Sequence, residues 1–134
     1  MAVGIVIVSH SARLAEGVVE LAGQMAQGDI ALLAAGGTDD GSLGTSIDKV
    51  TAALQQATGP DGTLVLVDLG SAVMITEMAL EMLDEPVRQR IRISSAPLVE
   101  GAVLAAVEAA SGSNLDEVAQ AADEGSAMPK THKT

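Results

Sequence analysis

The chain has 134 residues, the size of one domain, enough to bury about two-thirds of its unfolded surface. Its 18 acidic residues against 7 basic give a net charge of −11, which repels nucleic acid and anionic membranes. With no Phe, Trp, Tyr or Cys, it has no aromatic ring to stack on a base, no disulfide and no thiolate nucleophile or metal ligand.

The first element in chain order is the β-branched run Val3-Gly-Ile-Val-Ile-Val8, expected to form a strand buried on both faces. It is too short for a signal-peptide core or a membrane span, and no other segment reads as either, so the expected location is the cytoplasm. Residues 12–27 follow with apolar positions at Leu14, Val18, Leu21, Ala22 and Met25, which is helical spacing. Residues 29–34 hold a second strand, whose Ala and Leu content suits a sheet poorly.

Next comes a loop with four glycines, residues 36–46. Thr45 or Ser46 then caps a helix to about Ala57, with Ile47, Val50 and Leu54 inward. Gly59-Pro-Asp-Gly62 is a turn and residues 63–68 the third strand. Leu69-Gly-Ser71 leads into a helix to about Asp84, on which Met74, Met78 and Met82 form a stripe expected to fill the core. Pro86 follows that helix, residues 90–94 form the fourth strand, and Pro97 stops it. An alanine-rich helix covers residues 98–110, and Asn114 caps a last one to about Ala122. Residues 1–126 are expected to make one domain and 127–134 a flexible C-terminal tail.

This pattern, βαβαβαβαα, predicts an α/β fold: a three-layer, open, mostly parallel sheet with helices on both faces. With strand order 2-1-3-4, the order reverses between strands 1 and 3, and ligands bind at the carboxyl ends of the strands there. The loops singled out are those after Val8 and Val67. The first carries Ser9-His10-Ser11 and the second Asp68-Leu-Gly-Ser71. A neutral imidazole has one lone pair for attack on phosphorus or for taking a proton. A carboxylate bonded to its other nitrogen fixes the tautomer and stabilises the imidazolium that forms. Helix starts beside both turn free N–H groups toward a phosphoryl group. Together these residues suit a transient phosphohistidine on His10 with Asp68 as its partner.

Blander roles stand beside this: an exposed loop histidine for His10 and a turn or cap aspartate for Asp68. The glycine-rich loop lacks the Lys-Ser/Thr ending of a nucleotide-binding P-loop. Asp39, Asp40 and Asp48 match no metal-binding loop, and none is expected to bind metal. Ser9, Ser11 and Ser71 beside His10 also raise a hydrolase triad, against which stands the absence of a Gly-x-Ser-x-Gly elbow.

The opening Gly-Ile-Val-Ile-Val-Ser-His10-Ser with Leu14-Ala-Glu-Gly17 resembles the mannose-type EIIA domains of the bacterial phosphotransferase system. Gly37-Thr-Asp-Asp-Gly-Ser-Leu-Gly-Thr-Ser46, Asp68-Leu-Gly-Ser-Ala72 and Ala96-Pro-Leu-Val-Glu-Gly101 resemble the DhaM branch, the phosphotransferase subunits of phosphoenolpyruvate-dependent dihydroxyacetone kinases. The likeness spans residues 2 to 124, in four ordered motifs. It implies that His10 takes a phosphoryl group from the carrier HPr and passes it to ADP held with magnesium on a DhaL subunit. DhaL then phosphorylates dihydroxyacetone bound on DhaK. It further implies that Asp68 bonds the active histidine, that Thr38, Thr45, Ser46 and Ser71 lie in the loops that donate to phosphate, and that the protein is a homodimer. No cofactor is expected on this chain. Some DhaM chains carry fused HPr-like and enzyme-I-like domains; this one ends after the EIIA-like part and is expected to use a separate HPr. The alternative is an EIIA domain feeding a mannose-type sugar transporter, although the Gly70-Ser71-Ala72 turn departs from the glycine-richer turn usual there.

Overall fold

A computed structural model describes residues 2–131. The elements are β1 (Gly4–Ser9), α1 (Ala12–Ala26), β2 (Leu32–Gly36), α2 (Ile47–Ala57), β3 (Thr63–Val67), α3 (Gly70–Glu81), α4 (Glu85–Arg88), β4 (Ile91–Ile93), α5 (Leu98–Ala110) and α6 (Leu115–Asp123), then a 3₁₀ turn, Glu124–Ala127. The four strands form one sheet in the order β2-β1-β3-β4, and every neighbouring pair is parallel. None of the described helices is long and apolar enough to cross a membrane.

Strand alternation divides the core in two. Ile5 and Ile7 of β1 with Leu64 and Leu66 of β3 face α1, α5 and α6. Val6, Val8 and Val65 face α2 and α3. All seven are fully buried, which is why β1 reads as an unbroken apolar run instead of an alternating one. The helices after β1 and β3 therefore leave the sheet on opposite faces. That divergence opens a crevice between the carboxyl ends of the two central strands.

Three expectations need correction. β2 sits at Leu32–Gly36 instead of 29–34, in register Ile5↔Leu32 through Ser9↔Gly36. Its last residue, Gly36, expected in the loop, is a strand glycine in a tight space. A Cβ on Gly36 would lie 2.5 Å from the Ser11 carbonyl oxygen, so only glycine lets β2 run that far beneath the start of α1. The methionine stripe of α3 is not core: Met74, Met78 and Met82 are 66%, 50% and 66% exposed. Small residues, Ala72, Thr76 and Ala79, fill the inner face of α3 instead. The same holds on α1, where Leu14, Leu21 and Met25 are exposed and Ala15, Val18 and Ala22 are buried. Close packing of alanine-lined helix faces leaves the long side chains outside. The third helix also ends at Glu81, before the expected Asp84, and Pro86 falls in the first turn of the short α4.

The last helix begins in a complete capping box: the Asn114 side chain accepts from the Glu117 N–H while the Glu117 carboxylate accepts from the Asn114 N–H. Of the expected tail, the described residues 128–131 are exposed and Lys130 pairs with Glu100. His132 and the rest of the tail lie outside the described residues.

Candidate functional site

β1 ends in Ser9, and the chain bends at His10 before α1 begins. The glycine-rich loop is pinned against this bend. The Gly37 N–H donates to the Ser9 carbonyl (3.2 Å) and the Gly44 N–H to the His10 carbonyl (2.8 Å). Gly37 makes the turn out of β2 at φ +77°, where a side chain is disfavoured. Asp68 follows β3 directly, and its own N–H donates to the Val8 carbonyl (3.2 Å). The sheet register thus sets the His10 and Asp68 side chains face to face.

Three donors converge on the Asp68 carboxylate. The Ser9 hydroxyl and the His10 backbone N–H both donate to Oδ2 at 2.9 Å, and His10 Nδ1 lies 3.0 Å from Oδ1. Burial pushes the Asp68 pKa up, but the His10 N–H, the His10 ring and the Ser9 hydroxyl outweigh it. The net position is below the ordinary carboxylate value of 3.8. Asp68 is therefore an anion at neutral pH and an acceptor only. In the neutral ring Nδ1 carries the proton and donates to Asp68, and Nε2 holds the lone pair. The Ser71 hydroxyl, 2.8 Å from Nε2, donates to it. The imidazole is held at both nitrogens and still 28% exposed, while Asp68 is 11% exposed. The carboxylate is inside and the ring is at the surface.

Two helix N-termini flank the ring. Ser11 caps α1, its hydroxyl accepting from the Leu14 N–H at 3.1 Å. No side chain caps α3, whose first residues are Gly70 and Ser71. The Ala72 N–H donates to the Leu69 carbonyl (3.0 Å), and the N–H groups of Gly70 and Ser71 with the positive dipole end of the helix face an anion at Nε2. Ser71 is thus the one hydroxyl, of the four in the expected loops, that the structure places on the ring. Thr38 Oγ1 donates to Asp40 at 2.6 Å and also meets Ser42. Ser46 caps α2, bonding Asp39 and the Lys49 N–H. Thr45 is half-buried. The hydroxyls of Thr38 and Ser42 with the Ser42 N–H hold Asp40 down at about 2. Among the described residues no group of three or more His, Cys, Asp or Glu is arranged to hold a metal.

Ser9 is the residue whose part the sequence hid. It is fully buried, and its Oγ also accepts the Ser11 N–H at 3.0 Å. One hydroxyl thus ties the start of α1 to the carboxylate that orients His10. The available signal was strand alternation: Ser9 continues the inward face of Ile5 and Ile7, and a polar group there needs partners. Ser9→Ala is expected to lower stability by about 1–2 kcal/mol, because it strips a donor from Asp68 and orphans the Ser11 N–H. Urea denaturation measures this, and a change within error would make Ser9 dispensable.

The sequence carries a domain of the phosphotransferase system. The family model for EIIA-man, described as PTS system fructose IIA component, matches residues 4–119, and the chain belongs to that family. Within it the chain is similar to proteins named DhaM, which are described as phosphoryl donor subunits of phosphoenolpyruvate-dependent dihydroxyacetone kinases. It is 47% identical to the DhaM of Klebsiella michiganensis over 119 residues, 87% of this chain and 25% of that protein. Against the DhaM of Lactococcus lactis it is 37% identical over 118 residues, 88% of this chain and 91% of that one. The chain thus spans about a quarter of the longer relatives, such as those of Klebsiella michiganensis and Escherichia coli, and nearly all of the shorter one. A crystal structure of a protein of unknown function superposes over the whole of both chains at TM-score 0.84 and 33% identity. The mannose/sorbose-specific IIA subunit of Enterococcus faecalis shares the fold at TM-score 0.62 and 23% identity, over 100% of this chain and 97% of that one.

Proposed function

We propose that this chain is a phosphoryl carrier that takes a phosphoryl group onto Nε2 of His10 from phosphorylated HPr and gives it to ADP bound with magnesium on a DhaL subunit. The observation that carries the proposal is the doubly held, surface-exposed imidazole: Nδ1 against Asp68, Nε2 facing out beside an uncapped helix start. In the first step the Nε2 lone pair attacks phosphorus. The donor's N–P bond breaks, and its electron pair returns to the donor nitrogen. His10 becomes a phosphorylated imidazolium whose Nδ1–H charge faces the Asp68 anion. Ser71 turns from Nε2 to an oxygen of the phosphoryl group, joined by the N–H groups at the start of α3. In the second step a terminal oxygen of ADP attacks phosphorus, the His10 N–P bond breaks, and ATP forms on the acceptor subunit. Both steps call for positioning and charge stabilisation, with no metal needed on this chain. The ATP so formed phosphorylates dihydroxyacetone bound on DhaK.

Two copies pairing through another face belong to the same proposal. The exposed Leu14, Leu21 and Met25 of α1 are an apolar stripe on a different helix from α3. Similarity to DhaM proteins supports the dihydroxyacetone branch over a sugar-transport branch. The discriminating experiment offers the phosphorylated chain to DhaL with ADP and, separately, to the IIB domain of a mannose-type transporter. ATP formed with DhaL and no label on IIB is expected; label on IIB alone would overturn the assignment. Ser71→Ala is expected to keep the labelling site but slow transfer by about 10- to 100-fold, as loss of one donor to developing charge does. Rapid-quench labelling measures it, and an unaltered rate would leave Ser71 without a part in the step.

A further inference from the structure

The glycine-rich loop touches the backbone on both sides of the bend that carries the reacting ring. The Gly37 N–H donates to the Ser9 carbonyl and the Gly44 N–H to the His10 carbonyl. Lys49 anchors the entry, its ammonium donating to the Gly36 carbonyl at 3.2 Å. Between these ends the chain folds on one carboxylate. Asp40 Oδ1 accepts the Thr38 hydroxyl at 2.6 Å, the Ser42 hydroxyl at 2.7 Å and the Ser42 N–H at 3.1 Å. The same turn is closed by the Thr38 N–H on the Ser42 carbonyl at 2.9 Å and the Gly41 N–H on the Thr38 carbonyl at 3.0 Å. Gly44, at φ +136°, lies so near this turn that a Cβ there would come within 2.7 Å of the Thr38 methyl. An exposed loop with glycine at positions 37, 41 and 44 has much conformational freedom to lose, and Asp40 is the group on which its side-chain donors converge.

Resting on the carrier assignment above, we infer that Asp40 is a positioning residue for the transfer: its carboxylate braces the loop, and the braced loop fixes the bend at His10 so that Nδ1 stays on Asp68 and Nε2 stays aimed outward. The path runs through hydrogen bonds alone. Asp40 gathers Thr38 and Ser42, their turn sets Gly37 and Gly44, and the N–H groups of those glycines hold the Ser9 and His10 carbonyls. His10 needs such a hold because it belongs to neither β1 nor α1. Asp68 restrains it from the β3 side, through its N–H and its ring. The loop grips it from the opposite side, that of β2. Held at about 2, Asp40 is an anion throughout the neutral range, so the brace does not open with pH there. Displacing a reacting group by about 1 Å costs up to about 10²-fold in rate, which is the scale on which a loosened bend would act.

The test compares Asp40→Ala and Asp40→Asn with wild type by rapid-quench labelling over a range of phosphorylated HPr concentrations. Asp40 is exposed and lies outside every helix and strand, so both variants should melt in urea close to wild type. Asp40→Ala is expected to lower the maximal labelling rate about 10-fold with the half-saturating concentration unchanged, the pattern of lost positioning and not of lost binding. Asp40→Asn keeps an oxygen for the same donors and should return to within about twofold of wild type. Nitrogen-15 spectra of the imidazole read the brace without any phosphoryl donor. Wild type should show the Nδ1-protonated ring and Asp40→Ala a visible share of the Nε2-protonated one, which a residue serving stability alone would not bring about. An unchanged maximal rate with an unchanged spectrum in Asp40→Ala overturns the inference. A raised half-saturating concentration at unchanged maximal rate makes the loop a contact surface, and an Asn variant as slow as the Ala one makes the charge the active feature; either result overturns the brace as well. Absence of label on wild type sinks the carrier assignment, while the imidazole spectra still decide the brace.

Discussion

His10→Ala is expected to bring phosphoryl uptake from phosphorylated HPr to background while leaving the fold in place. The ring is the one nucleophile at the rim with its lone pair directed outward, so no neighbouring group replaces it. Ser71 keeps its hydroxyl in the variant, but serine has no adjacent base there once the imidazole is gone. Stability should fall by no more than about 1–2 kcal/mol, the worth of one hydrogen bond to a carboxylate at a partly solvated site. The backbone N–H of residue 10 and the Ser9 hydroxyl still satisfy Asp68 Oδ2. Acid-labile incorporation of phosphorus, measured beside a urea melt, separates the two effects. Labelling at wild-type level would move the site elsewhere.

Replacing Asp68 by Asn keeps the shape and removes the charge. The amide NH₂ of Asn is able to donate to Nδ1, which favours the tautomer with the proton on Nε2 and takes away the attacking lone pair. The imidazolium formed on transfer also loses its counter-charge. Transfer should slow by about 10²–10⁴-fold, the scale of a mis-set tautomer in a histidine–carboxylate pair. The variant should differ in acid as well. Asp68 has its pKa depressed in the folded protein. The stability it contributes is therefore complete above the ordinary carboxylate value and is lost as pH falls through the lower, folded one. The stability gap between wild type and Asp68→Asn should be widest near neutrality and close in acid. Urea melts from neutral pH down to the acid limit of folding measure it. A gap that is constant with pH would remove the carboxylate's charge from the account.

Much of the scaffold was legible because its signals are local and redundant. The β-branched run of β1 has no other stable use, α5 was bounded at 98–110 by Pro97 and its small apolar residues, and Asn114 announced α6. Strand order followed from alternation and the rules of parallel sheets, and it brought the loops of His10 and Asp68 to one rim. What hydropathy does not carry is volume. Helical spacing marks Leu14, Leu21 and Met25 of α1 only as apolar positions and points the methionines of α3 to the core, yet small residues line both inner faces because closely packed helix faces exclude longer chains. The span 29–34 sets β2 too early because glycine signals a loop, whereas Gly36 is the strand residue that fits under Ser11. Ser9 and Ser71 looked alike in the sequence. Only the register of β1 against β3 separates a buried hydroxyl on the carboxylate from an exposed one on the ring.

The most direct measurement is the location of phosphorus after mixing the ¹⁵N-labelled chain with phosphorylated HPr, read by heteronuclear NMR of the imidazole. The account predicts a single phosphoryl group on Nε2 of His10, with Nδ1 still protonated and bonded to Asp68. Phosphorus on Nδ1, on any other residue, or nowhere on the chain would contradict it.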